Sequence, residues 1–239
     1  MKTLGIIGGL GPMASAYLLQ LIIEMTDAKT DQEHLDVILF DRPQVPDRTA
    51  HILDPAKPSP LPSMRDTAQT LERLGAGVIC APCVTSHCFY PELAASVSVP
   101  FLHMVEEAGR ELLAAGKKSG GHSGHHRHGA HPGCSRTPLP GWGWRPWSPT
   151  RRARAMSCPS STRTSRQAGP RTRRNSRPCR RSSSPRAATA LYWAAPSSPS
   201  SKKATPLGHG YLDALEVLAK RCVQACGGPL KDACQNLIT

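Results

Sequence analysis

The sequence predicts an α/β fold built on a parallel sheet. Three observations carry that expectation. Short apolar β-type runs alternate with amphipathic helical segments, the connections between them are short, and glycine or proline stands where a strand gives way to a helix.

Taken in order, TLGIIG at 3–8 is compact, apolar and ends in glycines, the mark of a strand buried on both faces. Ala14 to Thr26 follows as a helix, with Leu18, Leu19, Ile22 and Ile23 at helical spacing and Pro12 suited to its first turn. HLDVILF at 34–40 reads as a second strand and DRPQVPDRT at 41–49 as a polar loop. Ser63 to Leu74 is an amphipathic helix and AGVICAP at 76–82 a third strand. Pro91 to Ser96 is helical, VPFLHM at 99–104 reads as a fourth strand, and Val105 to Ala115 as a helix. The pattern then fails from Ser119 to Ser201 and resumes at Tyr211. There Leu212, Leu215, Leu218 and Cys222 share one helical face, and Gly227 is placed to end the helix. No internal repeat is visible. In a parallel sheet, ligands sit at the carboxyl ends of the strands, so the loops after Gly8, Phe40 and Pro82 are the places to search.

The net charge of +13 over 239 residues hides two populations. From Ser119 to Thr205 there are 15 Arg, 2 Lys and no acid; the remainder holds 13 basic residues against all 17 acids, a net of −4. A slightly acidic globular sequence is thus interrupted by a block rich in Arg, Ser, Pro and Gly. The N-terminus shows no signal-peptide pattern and no run is long enough to span a bilayer. The nine cysteines show no regular framework and are expected as free thiols in a reducing compartment, which points to the cytoplasm.

Several motifs carry chemistry. Gly9-Leu10-Gly11-Pro12-Met13-Ala14 fits G-x-G-x-x-A after a strand, the form of a dinucleotide loop. Pro12 removes an amide that would cradle a pyrophosphate, so a tight turn near some anionic ligand is the better reading. Cys83-Val84-Thr85-Ser86-His87 is sharper. A cysteine follows a buried strand where a helix begins, a setting that favours a thiolate or a bound carboxylate, and Thr85 and Ser86 can donate to the same anion. Cys80, inside the strand, reads as a small buried apolar residue. Cys88 leans to structure, and His87 to a helix start or a supporting role. Arg48 reads equally as a solvated loop residue or as a bidentate clamp for a carboxylate. His122, His125, His126, His128, His131 and Cys134 make a tract with no scaffold to fix a geometry, so only adventitious metal binding is expected there.

GIIGGLGP, VPDRTAHIL, APCVTSH followed by FYPEL, and VPFLHMVEE together resemble the aspartate/glutamate racemase family, in order and spacing, over residues 1–118. LGHGYLDALEVLAKR resembles that family's closing helix. The resemblance implies two similar α/β lobes facing across a cleft, each giving one catalytic cysteine, and a homodimer. It makes Cys83 the first-lobe acid/base, places Thr85 with its neighbours Val84 and Ser86 at the substrate α-carboxylate, and brings Arg48 to the side-chain carboxylate. The family usually carries Asn where this chain has Val84, which removes one substrate hydrogen bond. The implied substrate is an acidic amino acid, aspartate before glutamate, with neither pyridoxal phosphate nor metal as cofactor and no membrane partner. Racemisation takes the Cα proton from one face and returns one to the other, so two opposed acid/base groups are needed. A thiol of reference pKa about 8.5 is far more acidic than Cα–H, so the carbanion needs electrostatic support.

The second cysteine belongs in an LGCTE motif of the second lobe, and that motif is absent. The basic block stands in its place. Codons compatible with residues 141–150, read from the third base, give LGLEAVVPD; residues 159–168 give LIYEDVKAG, and residues 191–198 give LLGCTEL, all at one offset. GHHRHG at 124–129 gives ATTGT at the other offset. These are the segments a second lobe would carry. The expected organisation is therefore a first lobe at 1–118, a frame-shifted block without a packed core at 119–203, and a C-terminal helix at 204–239 returning to the first lobe, with the racemase inactive as it stands. Two other readings compete. An Arg/Ser-rich insert on an α/β lobe would bind nucleic acid through phosphates. An NAD-dependent oxidoreductase would rest on the glycine loop alone, and the acid expected about 20 residues beyond that loop is not at a strand end.

Overall fold

The computed structural model describes residues 1–116, 120–123, 189–192 and 211–237. All of them belong to one compact unit. Its elements are β1 (Thr3–Gly8), α1 (Pro12–Met25), β2 (Val37–Asp41), α2 (Arg48–Leu53), α3 (Leu61–Arg73), β3 (Ala76–Cys80), a 3-10 segment (Val84–Phe89), α4 (Tyr90–Ala94), α5 (Met104–Ala114), β4 (Gly120–Ser123), β5 (Thr189–Tyr192), β6 (Tyr211–Asp213) and α6 (Ala214–Ala225).

β1 is central, with β2 and β3 parallel to it on either side. Its side chains alternate between two cores, as the two-residue period of a strand requires. Leu4 and Ile6 join Val78, Cys80 and the helices α1, α5 and α6 in the larger core; Ile7 joins Ile79, Met64, Ala68 and Leu71 of the α3 side in the smaller one. The predicted parallel α/β lobe is thus present, with its strand ends converging on the loops after Gly8, Asp41 and Cys80.

The structure differs from the sequence expectation at four places. The loop expected at 41–49 ends in a helix, because the Asp47 side chain accepts from the amides of Thr49 and Ala50 and so caps α2. The fourth strand expected at 99–104 shrinks to a bridge between Ile79 and Phe101. Pro100 offers only its carbonyl there, which accepts from the Ile79 amide at 2.9 Å, and His103 already caps α5. The C-terminal helix gives up its first three residues to β6, since Asp213 accepts from the Leu215 amide and fixes the helix start one residue later. Two strands, β4 and β5, lie within the block at 119–203. They pair in parallel in the order β4-β5-β6. The rest of that block lies outside the described residues.

α6 packs on α1 and α5 and completes the larger core. The chain after it is tied to the first lobe by the Lys2 amide on the Cys226 carbonyl at 2.8 Å, the Asp27 amide on Pro229 at 2.9 Å and the Lys231 amide on Met25 at 3.0 Å. Lys220, buried on α6, donates to Glu111 at 2.7 Å and to the Gln235 carbonyl at 2.6 Å, and Arg221 pairs with Glu107 at 2.8 Å.

Candidate functional site

Three loops build the site, each at the carboxyl end of a strand of the first sheet. In the loop after β1, Gly9 has φ +80° and Gly11 φ +138°, conformations that a side chain disfavours. The Gly9 amide donates to the Ser15 hydroxyl at 3.1 Å, tying the turn to the first turn of α1, and Pro12 opens that helix without needing an amide partner.

The loop after β2 carries Arg48 at the start of α2. Its Nη2 donates to the Leu10 carbonyl at 2.8 Å, so the guanidinium holds the glycine turn. Its Nε–H is buried and has no partner among the described residues. A buried donor left unsatisfied costs roughly 1–3 kcal/mol, and a carboxylate is the partner a guanidinium fork fits best.

The loop after β3 carries Cys83. The chain leaves the strand through Ala81 and Pro82, and Cys83 stays extended before the 3-10 segment begins. The thiol is mostly buried, in the smaller core cluster, with Sγ 3.3 Å from the Thr85 hydroxyl. The Cys83 carbonyl accepts three hydrogen bonds: from the Ser86 amide at 3.3 Å, the Ser86 hydroxyl at 2.5 Å and His87 Nδ1 at 2.8 Å. Cys83 is therefore anchored through its own backbone by the two residues that follow Thr85.

The residues expected at the site separate into roles. Thr85 lies against the thiol. Ser86 is buried and spends its hydroxyl on the Cys83 carbonyl. Val84 is half-buried and packs against the larger core cluster, so its side chain is an apolar contact. Arg48 sits on the glycine turn. His103 and Tyr90 were not singled out in the sequence. The His87 and His103 rings lie 4.7 Å apart, and Tyr90 lies 4.4 Å from His103. In the sequence His103 lies within the run read as a fourth strand, which hid its place as the cap of α5. Burial, then the neighbouring His103, lowers the His87 pKa from 6.5 to about 4, and burial, with a smaller push from Arg110, does the same to His103.

Among the described residues no group of three His, Cys, Asp or Glu is placed to hold a metal ion, and most of the histidine tract at 122–131 lies outside them. No helix among the described residues is long and apolar enough to cross a membrane.

The first lobe is thus a parallel α/β unit with a strand-end cysteine, a glycine turn and a helix-start arginine. Residues 7–120 match the family described as Asp/Glu/Hydantoin racemase. The chain is 29% identical over 122 residues to the broad specificity amino-acid racemase RacX of Bacillus subtilis, covering 48% of this chain and 52% of that protein. Among solved structures, the Picrophilus torridus aspartate racemase is 30% identical, with 51% and 52% of the two chains covered and a TM-score of 0.47. A putative Asp/Glu racemase from Yersinia pestis is 20% identical, with 62% and 66% covered and a TM-score of 0.54, a likeness of fold. The chain thus spans about half the length of the curated relative it matches. These comparisons favour neither the nucleic-acid-binding nor the nicotinamide-dependent reading.

Proposed function

We propose that this chain carries the first half-site of a cofactor-independent racemase for an acidic amino acid, aspartate foremost. The observation that carries the reading is the setting of Cys83, a strand-end thiol beside a hydroxyl, held through its carbonyl by three donors. Its neighbours fit a dicarboxylic substrate. Thr85 can donate to the α-carboxylate, and the unpartnered Nε–H of Arg48 suits the side-chain carboxylate.

In this reading the Cys83 thiolate removes the Cα proton from one face, giving a thiol and a carbanion whose charge spreads into the α-carboxylate. A second thiol, opposite, protonates the other face and is left as thiolate. The next turnover runs in reverse. Hydrogen bonds to the α-carboxylate stabilise the charge where it develops.

The second thiol belongs to the block at 119–203, and its frame is part of the proposal. β5 ends at Tyr192, and in the re-read LLGCTEL the cysteine codon straddles 194 and 195. That is two to three residues beyond the strand, as Cys83 lies three beyond the end of β3 at Cys80. The pairing of β5 beside β4 and β6 in parallel also suits a second strand-end site. Resequencing should place insertions or deletions near codons 118–130 and 200–206. High-quality reads and transcripts carrying the present frame would remove a sequencing slip as the cause. The enzyme with its frame restored should exchange the Cα proton of aspartate with solvent deuterium without added cofactor, and Cys83→Ala should abolish racemisation. Near-normal turnover in that variant would end the two-thiol mechanism. A panel of acidic amino acids settles the substrate.

A further inference from the structure

The ring of His87, about nine-tenths buried, touches two backbone segments of the site. Nδ1 lies 2.8 Å from the Cys83 carbonyl, and Nε2 lies 3.1 Å from the Met104 amide at the start of α5. An amide N–H only donates and a carbonyl only accepts. Nε2 must therefore accept, and the one ring proton sits on Nδ1 and donates to Cys83. The two contacts together select one neutral tautomer. A second proton, on Nε2, would point at the Met104 N–H and break that bond.

The neighbouring residues keep the ring in place. His103, which precedes Met104, accepts from the Glu106 amide at 3.2 Å and so fixes the first turn of α5. Its ring lies 4.7 Å from that of His87, and Tyr90 stacks on the other ring at 6.4 Å. His87 is thus a strut from the loop after β3 to the start of α5, with one end on the carbonyl of the residue that bears the thiol.

We propose that His87 is a positioning residue for Cys83: as the neutral Nδ1–H tautomer it clamps the Cys83 carbonyl to the first turn of α5 and fixes where the Cys83–Thr85 pair sits. The proposal rests on reading Cys83 as the acid/base, but its test does not use turnover. It has a pH consequence. The titratable and charged groups on the packed elements are Glu106, Glu107, Arg110 and Glu111 on α5 with His103 just before it, Tyr90 and Glu92 on α4, and Arg48 and His51 on α2. Burial and His103 hold the ring neutral through weak acid, and the clamp opens only as the pH falls toward about 4.

The test is peptide-resolved alkylation of the full chain by iodoacetamide. In His87→Phe, Cys83 should alkylate about tenfold faster than in the parent, the scale of one or two lost hydrogen bonds. Cys80 and Cys222, fully buried in the larger core, should keep their protection and report an intact fold. His87→Asn, whose side-chain amide can still donate to the Cys83 carbonyl, should bring the Cys83 rate back toward the parent. An unchanged Cys83 rate in His87→Phe, with Cys80 and Cys222 protected, overturns the proposal. If His87→Phe exposes all three cysteines, the parent decides. Its imidazole nitrogen shifts should show the Nδ1–H tautomer down to about pH 5, and an Nε2–H tautomer or an imidazolium at pH 6 overturns the clamp. Retained turnover in Cys83→Ala would sink the racemase reading alone and leave these results standing.

Discussion

Gly9 shows how narrow the tolerances are at single residues. A Cβ built there would lie 2.2 Å from the Arg42 carbonyl carbon and 2.4 Å from its nitrogen, at a φ of +80°. Gly9→Ala must push the loops after β1 and β2 apart and strain the backbone as well, and should cost about 3 kcal/mol in thermal or denaturant unfolding. Gly11 has only Ala14 Cβ within reach, at 3.8 Å, so Gly11→Ala pays for φ alone and should cost about 1 kcal/mol. The sequence showed both glycines as a turn and could not rank them, because the neighbour that separates them is 33 positions away. The buried histidines give a pH dependence with a definite sign. With folded pKa values of about 4, against 6.5 for the free side chain, His87 and His103 bind fewer protons in the fold than in the unfolded chain between those values. Stability is therefore full above about pH 6.5 and lost as the pH falls toward 4, with a contribution from His87 on the order of 3 kcal/mol. Melting temperatures across that window should fall, and His87→Asn should flatten the fall.

Among the elements, those with a clear period were legible and those fixed by one polar contact were not. β1, α1, α3, β3 and α5 lie within a few residues of their expected places, because each helix presents an apolar stripe to one of the two cores and each strand alternates between both. α2 escaped notice: at six residues it is too short to display a period, and its existence depends on Asp47 accepting from Thr49 at 2.8 Å and Ala50 at 3.1 Å. The fourth strand was overread for the opposite reason. VPFLHM has the composition of a strand, yet its proline and the cap at His103 leave one bridge. Asp47→Ala should lower stability by about 1 kcal/mol in a thermal melt. Because α2 begins at Arg48, the same change in the frame-restored enzyme should raise KM more than it lowers kcat. Of the candidate site, Cys83, Thr85 and Arg48 were visible as residue types after strands. The clamp by His87 was not, since Met104 is 17 positions away.

For the whole molecule, the charge of the block at 119–203 was plain from composition, and the segments that meet across it were not. Lys220 is joined to Glu111 over a separation of 109 residues, and both are largely buried. Lys220→Ala should destabilise the first lobe by about 3 kcal/mol, whereas Lys220→Met with Glu111→Gln should cost less, because no charge is then left unpaired. The chain as it stands should not interconvert D- and L-aspartate, since the opposing thiol must be held within about 0.5 Å of its working position. It should bind double-stranded DNA without sequence preference, and the affinity should fall steeply as salt rises. A monodisperse, active preparation would refute the first expectation, and salt-independent binding the second.

The larger core is finished by α6, whose Leu215, Val217, Leu218, Cys222 and Val223 are all buried in it. On the ribosome these residues emerge about a hundred positions after Ala114, the last residue of α5. Until then the flanks of α1 and α5 wait uncovered. Any message that ends inside the intervening block, or never returns to frame before codon 211, yields a product whose first lobe is unfinished and open to proteases. The first lobe therefore constrains the block indirectly: its content can drift, but its length must remain readable through to the helix that closes the core.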